Sequence, residues 1–459
     1  MRAARCLPVL GAALALGIVA FAGDGRAAAP RMVGIGDSIG AGVQSADANL
    51  VTQSNSYLMR IALKAGAVLP LPWVIGSAVS SVFDTAFRNR LFPWLPGRNL
   101  SVSGADLSDL LNRRADALFR AAIDSETDLM LFPRRLSQIE IAELVPADLV
   151  ICWIGPNDVM GAVLSFDQLD ASQTTPVAEF EQLYSELADR LAALAGRVVV
   201  ANIPDVTTIP FLVDDAALAA ITGRNDLSLA PGSRTTLVLA AALLLGFDVE
   251  ALLDDPDWVL DAGELDILNE RVAAFNEIIA EQADRVGLPV VDANSLYASI
   301  VAQPPTIGGV TLTAGFLGGL FSLDGVHPSD TGHAIIANAF IEGLNAAYDL
   351  GIPLYSANQL AAIAAADPFV DHDGDGVVKG RFGFGLLETL GPLLGLSGDV
   401  NDNNPAVSVA FDDSAVRAEL ARRREVAGTE LVDQLRLGEE RAARGTLFTL
   451  FDRMLGRRR

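Results

Sequence analysis

Five short runs of apolar, β-branched residues recur along the chain, separated by longer segments with helical periodicity. The runs are RMVGIG (31–36), NLSVS (99–103), DLVICWIG (148–155), RVVVANI (197–203) and LPVVDA (288–293). Their hydrophobicity is continuous rather than alternating, which requires burial on both faces, as in a parallel sheet with helices above and below. Between them, FEQLYSELADRLAALAG (180–196) and LDILNERVAAFNEIIAEQADRVG (265–287) space apolar side chains by three and four residues, and each ends on a glycine suited to close a helix. The expected architecture is α/β: a three-layer α/β/α sandwich around a five-stranded parallel sheet, spanning 30–352.

With 459 residues, 51% of them hydrophobic, the chain can hold one large domain plus an appendage, or two domains. Its 57 acidic and 33 basic residues give a net charge of -24, a field that repels phosphates, so no nucleic acid and no anionic membrane is expected to bind the body of the protein. Arg2 and Arg5 precede the apolar stretch CLPVLGAALALGIVAFA, which reads as a signal peptide over 1–29, cleaved after Ala22 or Ala29. Export to a periplasm or to the outside is expected, with an uncleaved anchor as the alternative. Cys6 lies before the apolar run, badly placed for lipid attachment, and its removal leaves Cys152 as the one thiol, without an intramolecular disulfide. The run TLVLAAALLLGF (236–247) is too short to span a membrane and suits a buried helix or a lid.

Segments 66–96, 205–260 and 303–321 are longer than simple crossovers need. They carry Trp73, Phe92, Trp94, Phe211, Trp258 and Phe316, which wall an apolar pocket or form satellite core under long loops. Residues 353–459 read as a mainly helical C-terminal extension. It holds an acidic stretch in which Asp371, Asp373 and Asp375 have the D-x-D-x-D-G spacing of a weak calcium loop, although Phe382 stands where an EF-hand needs an acid. A second partial version starts at Asp399. The tail GTLFTLFDRMLGRRR places Leu447, Phe448, Phe451, Met454 and Leu455 on one face beside arginines; such a helix packs on its own domain or a partner, or makes peripheral membrane contact.

The turn VGIGDSIGAG (33–42) poses the chemical question. Gly36-Asp37-Ser38-Ile39-Gly40 satisfies the G-x-S-x-G pattern, but Ser38 follows the first strand, so no upstream loop can supply an oxyanion donor as a nucleophile elbow requires. A serine nucleophile needs a base and an orienting acid, and the chain has three histidines, His327, His333 and His372. His327 follows Asp324 by three residues, an offset that lets the carboxylate reach the imidazole Nδ1 while Nε2 faces outward. His333, at the start of a helix, is expected to be structural or on the surface. Ser38 also suits a plain helix cap.

Together these residues resemble the GDSL-type hydrolases of the SGNH superfamily. The blocks stand in order: Gly36-Asp37-Ser38, the glycine of NLSVSGADL at Gly104, Gly155, Asn157 and Asp158 of WIGPNDVMG, and Asp324 with His327. The resemblance spans about 31–348, and Ile39 replaces the usual leucine. It implies a flavodoxin-like sheet, a small-molecule or lipid ester substrate, no required cofactor, Ser38, Asp324 and His327 as catalytic triad, and Ser38, Gly104 and Asn157 as oxyanion hole. Gly104 is expected to be glycine because a side chain there would block the approach of its amide. The expected activity is that of a secreted serine esterase or lipase acting on acyl-chain or lipid esters. The alternatives are a carbohydrate O-deacetylase, an acyltransferase, or a silent adhesion or scaffold module. Asp37 and Asp158 are read as shaping their loops, and Cys152 as inert packing.

Overall fold

The structure, a computed structural model, describes residues 28–75, 89–164, 169–244, 246–374, 378 and 380. Four parallel strands form the central sheet: β1 (Met32–Gly36), β2 (Leu149–Trp153), β3 (Arg197–Ala201) and β4 (Val290–Val291), adjacent in that order. Ile35 stands opposite Cys152, and Ile151 opposite Val199. Every residue of β1 and β2 is buried, and successive side chains serve opposite layers. Val33, Ile35, Val150 and Cys152 enter one apolar core, while Met32, Leu149, Ile151 and Trp153 enter the other. Burial on both faces is why these runs show no alternation in the sequence.

The sheet has four strands rather than the expected five. Residues 99–102 run parallel to β1 along its outer edge, through Leu100 N–H to Gly34 O at 2.8 Å and Val102 N–H to Gly36 O at 3.1 Å, with a single bridge from Gly34 to Asn99. Two other demands interrupt the ladder. Pro70 O takes the N–H groups of Arg98 and Asn99 at 2.6 and 3.3 Å, and the Asn99 side chain turns to donate to Gly40 O at 2.7 Å.

The flanking helices are α1 (Ser38–Ala41), α2 (Tyr57–Ala65), α3 (Leu107–Asn112), α4 (Gln138–Leu144), α5 (Val177–Ala192), α6 (Ala262–Val286), α7 (Asp330–Tyr348) and α8 (Ala357–Ala366). Helices α3 to α6 cover one core through residues such as Leu110, Ile139, Phe180 and Phe275. On the other side lie α2 and α7, through Leu58, Ile61, Phe340 and Leu344. Asp261 and Glu264 form a capping box at the start of α6, and Gly287 closes it at φ 74°. Helix α5 stops at Ala192, before the expected Gly196, with Ala193 as a right-handed cap.

Between β3 and α6 the chain forms a small antiparallel sheet from 212–213, 234–236 and 259–260 and a buried helix at Leu237–Leu244, so the apolar run there is core. Among the described residues no helix is long and apolar enough to cross a membrane. Past residue 352, α8 lies against α7, and the buried Asp367 accepts the N–H and the hydroxyl of Thr331, both at 2.7 Å. Burial, with Asp330 beside it, pushes the Asp367 carboxyl up to about 7. The signal segment through Ala27, Asp375, and the tail from 381 lie outside the described residues.

Gly36 joins the sheet to the turn at φ 154°, where a Cβ would stand 2.2 Å from Trp153 O. No side-chain movement relieves a backbone clash of this kind. Gly36→Ala is expected to cost more than about 3 kcal/mol, read as a lower urea midpoint at unchanged slope.

Candidate active site

Because β1 ends at Gly36 and α1 begins at Ser38, the serine stands at the carboxyl end of a buried strand, half-buried on the first turn of a helix. Asp37 caps that helix, Oδ1 accepting Ile39 N–H at 2.9 Å. Burial pushes its carboxyl up to about 6 in spite of that bond.

Ser38 Oγ lies 2.8 Å from His327 Nε2, across 289 positions of sequence. On the other side of the ring, Nδ1 lies 2.7 Å from Asp324 Oδ2. Facing a carboxylate, Nδ1 carries the hydrogen, which leaves Nε2 to accept from the serine hydroxyl. Burial would raise the Asp324 carboxyl, but the imidazole beside it and the N–H groups of Val326 and His327, each 2.9 Å from Oδ1, hold it below the ordinary range.

Gly104 is exposed, at φ 76°, and a Cβ there would meet nothing within 4 Å. No protein atom crowds this position; its left-handed backbone by itself calls for glycine. Asn157 opens a short helix at Asn157–Met160, and its Nδ2 donates to Ala105 O at 2.8 Å. Leu107 N–H donates to Asp158 Oδ2 at 3.0 Å, so two bonds fasten the 104–107 loop to the 155–158 loop. The Asn157 amide carries a second hydrogen besides the one given to Ala105 O. Asp158 is buried, which pushes it up to about 7 while Thr175 Oγ1 donates to it at 2.8 Å.

His333 is not at the surface: it is fully buried, accepts Tyr57 N–H at 3.3 Å, and burial pushes it down to about 3, so it is neutral. Burial raises the Cys152 thiol, in keeping with inert packing. Sequence reasoning missed Ser45, Ala46 and Ser322, which reach the Asp324 loop; Ala46 N–H donates to Asp324 Oδ2 at 2.6 Å. The stretch QSADA that holds Ser45 and Ala46 has no glycine or proline to mark it. Of the calcium candidates, Asp371 accepts Gly374 N–H at 2.7 Å, and Asp375 lies outside the described residues. The acidic group whose oxygens converge among the described residues is instead Asp116, Asp124 and Asp128.

An apolar cavity of about 100 Å³ has Ile39 and Val326, the chain neighbours of Ser38 and His327, in its lining, but neither Ser38 nor His327 itself. It continues past Tyr297, Ile300, Ile336 and Phe340, between α7 and the 293–302 helix. None of the aromatic residues expected to wall a pocket lines it. Phe211 and Trp258 are core, while Phe92 and Trp94 are exposed, the latter tilted against Phe132.

Residues 32–340 match the GDSL-like Lipase/Acylhydrolase family. The chain belongs to that family. Among solved structures, an extracellular lipase from Streptomyces rimosus is similar at 17% identity over 70% of this chain and 100% of its own, with a TM-score of 0.35. An acetylxylan esterase from Geobacillus stearothermophilus is similar at 15% identity over 71% of this chain and 95% of its own, with a TM-score of 0.32. No curated protein sequence matches. Family membership makes the chain a carboxylic ester hydrolase whose substrates are small-molecule esters.

The raised Asp158 carboxyl binds its proton more tightly folded than unfolded, so it favours the native state at low pH and loses that contribution as pH rises. Between pH of about 4 and about 7, Asp158→Asn should gain on the parent in unfolding free energy, by up to roughly 4 kcal/mol. Urea titrations across that range would show it, and a constant difference would mean that Asp158 does not titrate as described.

Proposed function

We propose that this GDSL-family chain is an exported serine esterase acting on acyl-chain or lipid esters through an acyl-serine intermediate. The observation that carries the reaction is the line from Ser38 Oγ through His327 to Asp324 Oδ2, with contacts of 2.8 and 2.7 Å. On this reading His327 takes the hydroxyl proton as Ser38 attacks the ester carbonyl, while Asp324 fixes the tautomer and stabilises the imidazolium. The oxyanion is met by the N–H groups of Ser38 and Gly104 and by Asn157 Nδ2, each such donor worth ~2.7–4 kcal/mol in the transition state. The departing alcohol takes the proton from His327, and water then repeats the sequence to release the acid.

The apolar cavity, whose lining includes the chain neighbours of Ser38 and His327, supports the acyl preference. A space of about 100 Å³ with an apolar lining gives room to a hydrocarbon tail larger than a single water-sized group. Export rests on the Arg2, Arg5 and apolar pattern of the first residues. Calcium at 371–376 rests on the D-x-D-x-D-G spacing.

Two experiments test the reading. Ser38→Ala should abolish ester hydrolysis while leaving the melting temperature close to that of the parent, and full activity in that variant would overturn the mechanism. Across nitrophenyl esters of two to sixteen carbons, kcat/KM should be higher for chains longer than acetyl than for acetyl itself, a long-chain optimum marking a lipase. A profile confined to acetyl would replace the acyl-chain reading with that of an O-deacetylase.

A further inference from the structure

Ser45 and Ala46 have φ angles of 49° and 60°, a left-handed conformation that residues with a side chain seldom take. Gln44 and Asp47 pair across them, N–H to O at 2.9 and 3.0 Å in the two directions, so the four residues form a tight hairpin turn. Turns with two positive φ angles normally use Asn-Gly or Asp-Gly. Here a serine and an alanine are held in that shape by what they grip.

The grip falls on the loop that carries Asp324 and His327. Ala46 N–H donates at 2.6 Å to Asp324 Oδ2, the oxygen that also faces His327 Nδ1. Ser45 N–H donates to Ser322 Oγ at 2.8 Å, and Ser45 Oγ accepts Leu323 N–H at 3.1 Å. Gln44 Nε2 donates to Asp330 Oδ1 at 2.9 Å, just beyond His327. Ser322 Oγ in turn lies 3.2 Å from Asp324 Oδ1. The turn comes seven residues after Ser38, so the loop that presents the nucleophile also holds the acid. Its direction matters more than its composition: an N–H at position 46 points at Oδ2 only while the φ values stay positive.

We propose that Ser45 and Ala46 are positioning residues, a clasp that fixes the Asp324 carboxylate so that His327 Nε2 stays aimed at Ser38 before any substrate binds. This rests on the serine esterase reading given above, but one of its readouts does not depend on turnover. Ala46→Val places a β-branched residue where only small or polar ones tolerate positive φ, and it should turn the N–H away. Its kcat should fall at least tenfold with KM within twofold of the parent, because orientation of the base acts on the chemical step. Ala46→Gly, which keeps the N–H and accepts the conformation, should restore at least half of the parent kcat. Ser45→Ala, which removes the acceptor of Leu323 N–H, should lower kcat severalfold at unchanged KM.

Without substrate, the proton between His327 Nδ1 and Asp324 should give a far-downfield NMR resonance in the parent and in Ala46→Gly, and a shifted or missing one in Ala46→Val. Thermal melts of all variants separate a loss of fold from a loss of alignment. Should Ala46→Val fail to fold, Ser45→Ala decides. Parent kcat in Ser45→Ala, or a parent-like resonance and kcat in a folded Ala46→Val, would overturn the clasp. If Ser38→Ala stayed active while the resonance still followed the Ala46 variants, the esterase mechanism would fall and the clasp would stand.

Discussion

The contact between Ser38 Oγ and His327 Nε2 joins two parts of the polypeptide that share no local structure, and the remainder of the molecule is arranged around making that contact geometrically fixed. The serine is placed by β1, which is buried along its whole length and paired on both sides, so the turn after Gly36 has no freedom to drift. The histidine is placed by the start of α7, whose inner face packs into the second core. A parallel sheet sends its strand ends to one rim, and this is where loops from distant positions meet.

Electrostatics at the rim follow from what each carboxylate is offered. Asp37 and Asp158 are buried with hydrogen-bond donors, and desolvation outweighs those bonds and, for Asp37, the attraction of His327. Asp324 is largely but not fully buried, and the imidazole and a fan of N–H donors reverse the balance. A carboxylate that stays ionised in a nearly dry site is what a transient imidazolium needs beside it. The acids differ chiefly in the partners each is offered.

Much of this was legible from the residues. Unbroken apolar runs disclosed a doubly covered parallel sheet, and the Asp324–His327 offset was short enough for one turn to close. Gly287 gave away the end of α6. Other features left no trace in the sequence. The run at 99–103 has strand composition, but competition from Pro70 O and from the Asn99 side chain is a tertiary fact. The aromatic residues at 92 and 94 suggested a pocket, yet side-chain direction in an irregular segment depends on contacts such as Trp94 with Phe132. The Ser45–Ala46 turn broke the usual preference for glycine, so composition pointed away from it. His333 was ambiguous because its helix presents it to the core, which only the packing of Tyr57 and Phe340 reveals.

Asp367 has a consequence for how such a chain can be divided or spliced. Its carboxyl takes the N–H and hydroxyl of the buried Thr331 in the first turn of α7, four residues past His327, while α8 packs against the same helix. The polypeptide beyond the last core helix is thus wired into the foundation of the site. A chain cut or fused upstream of that aspartate would leave the Thr331 N–H and hydroxyl buried without their acceptor, at the helix start that follows His327.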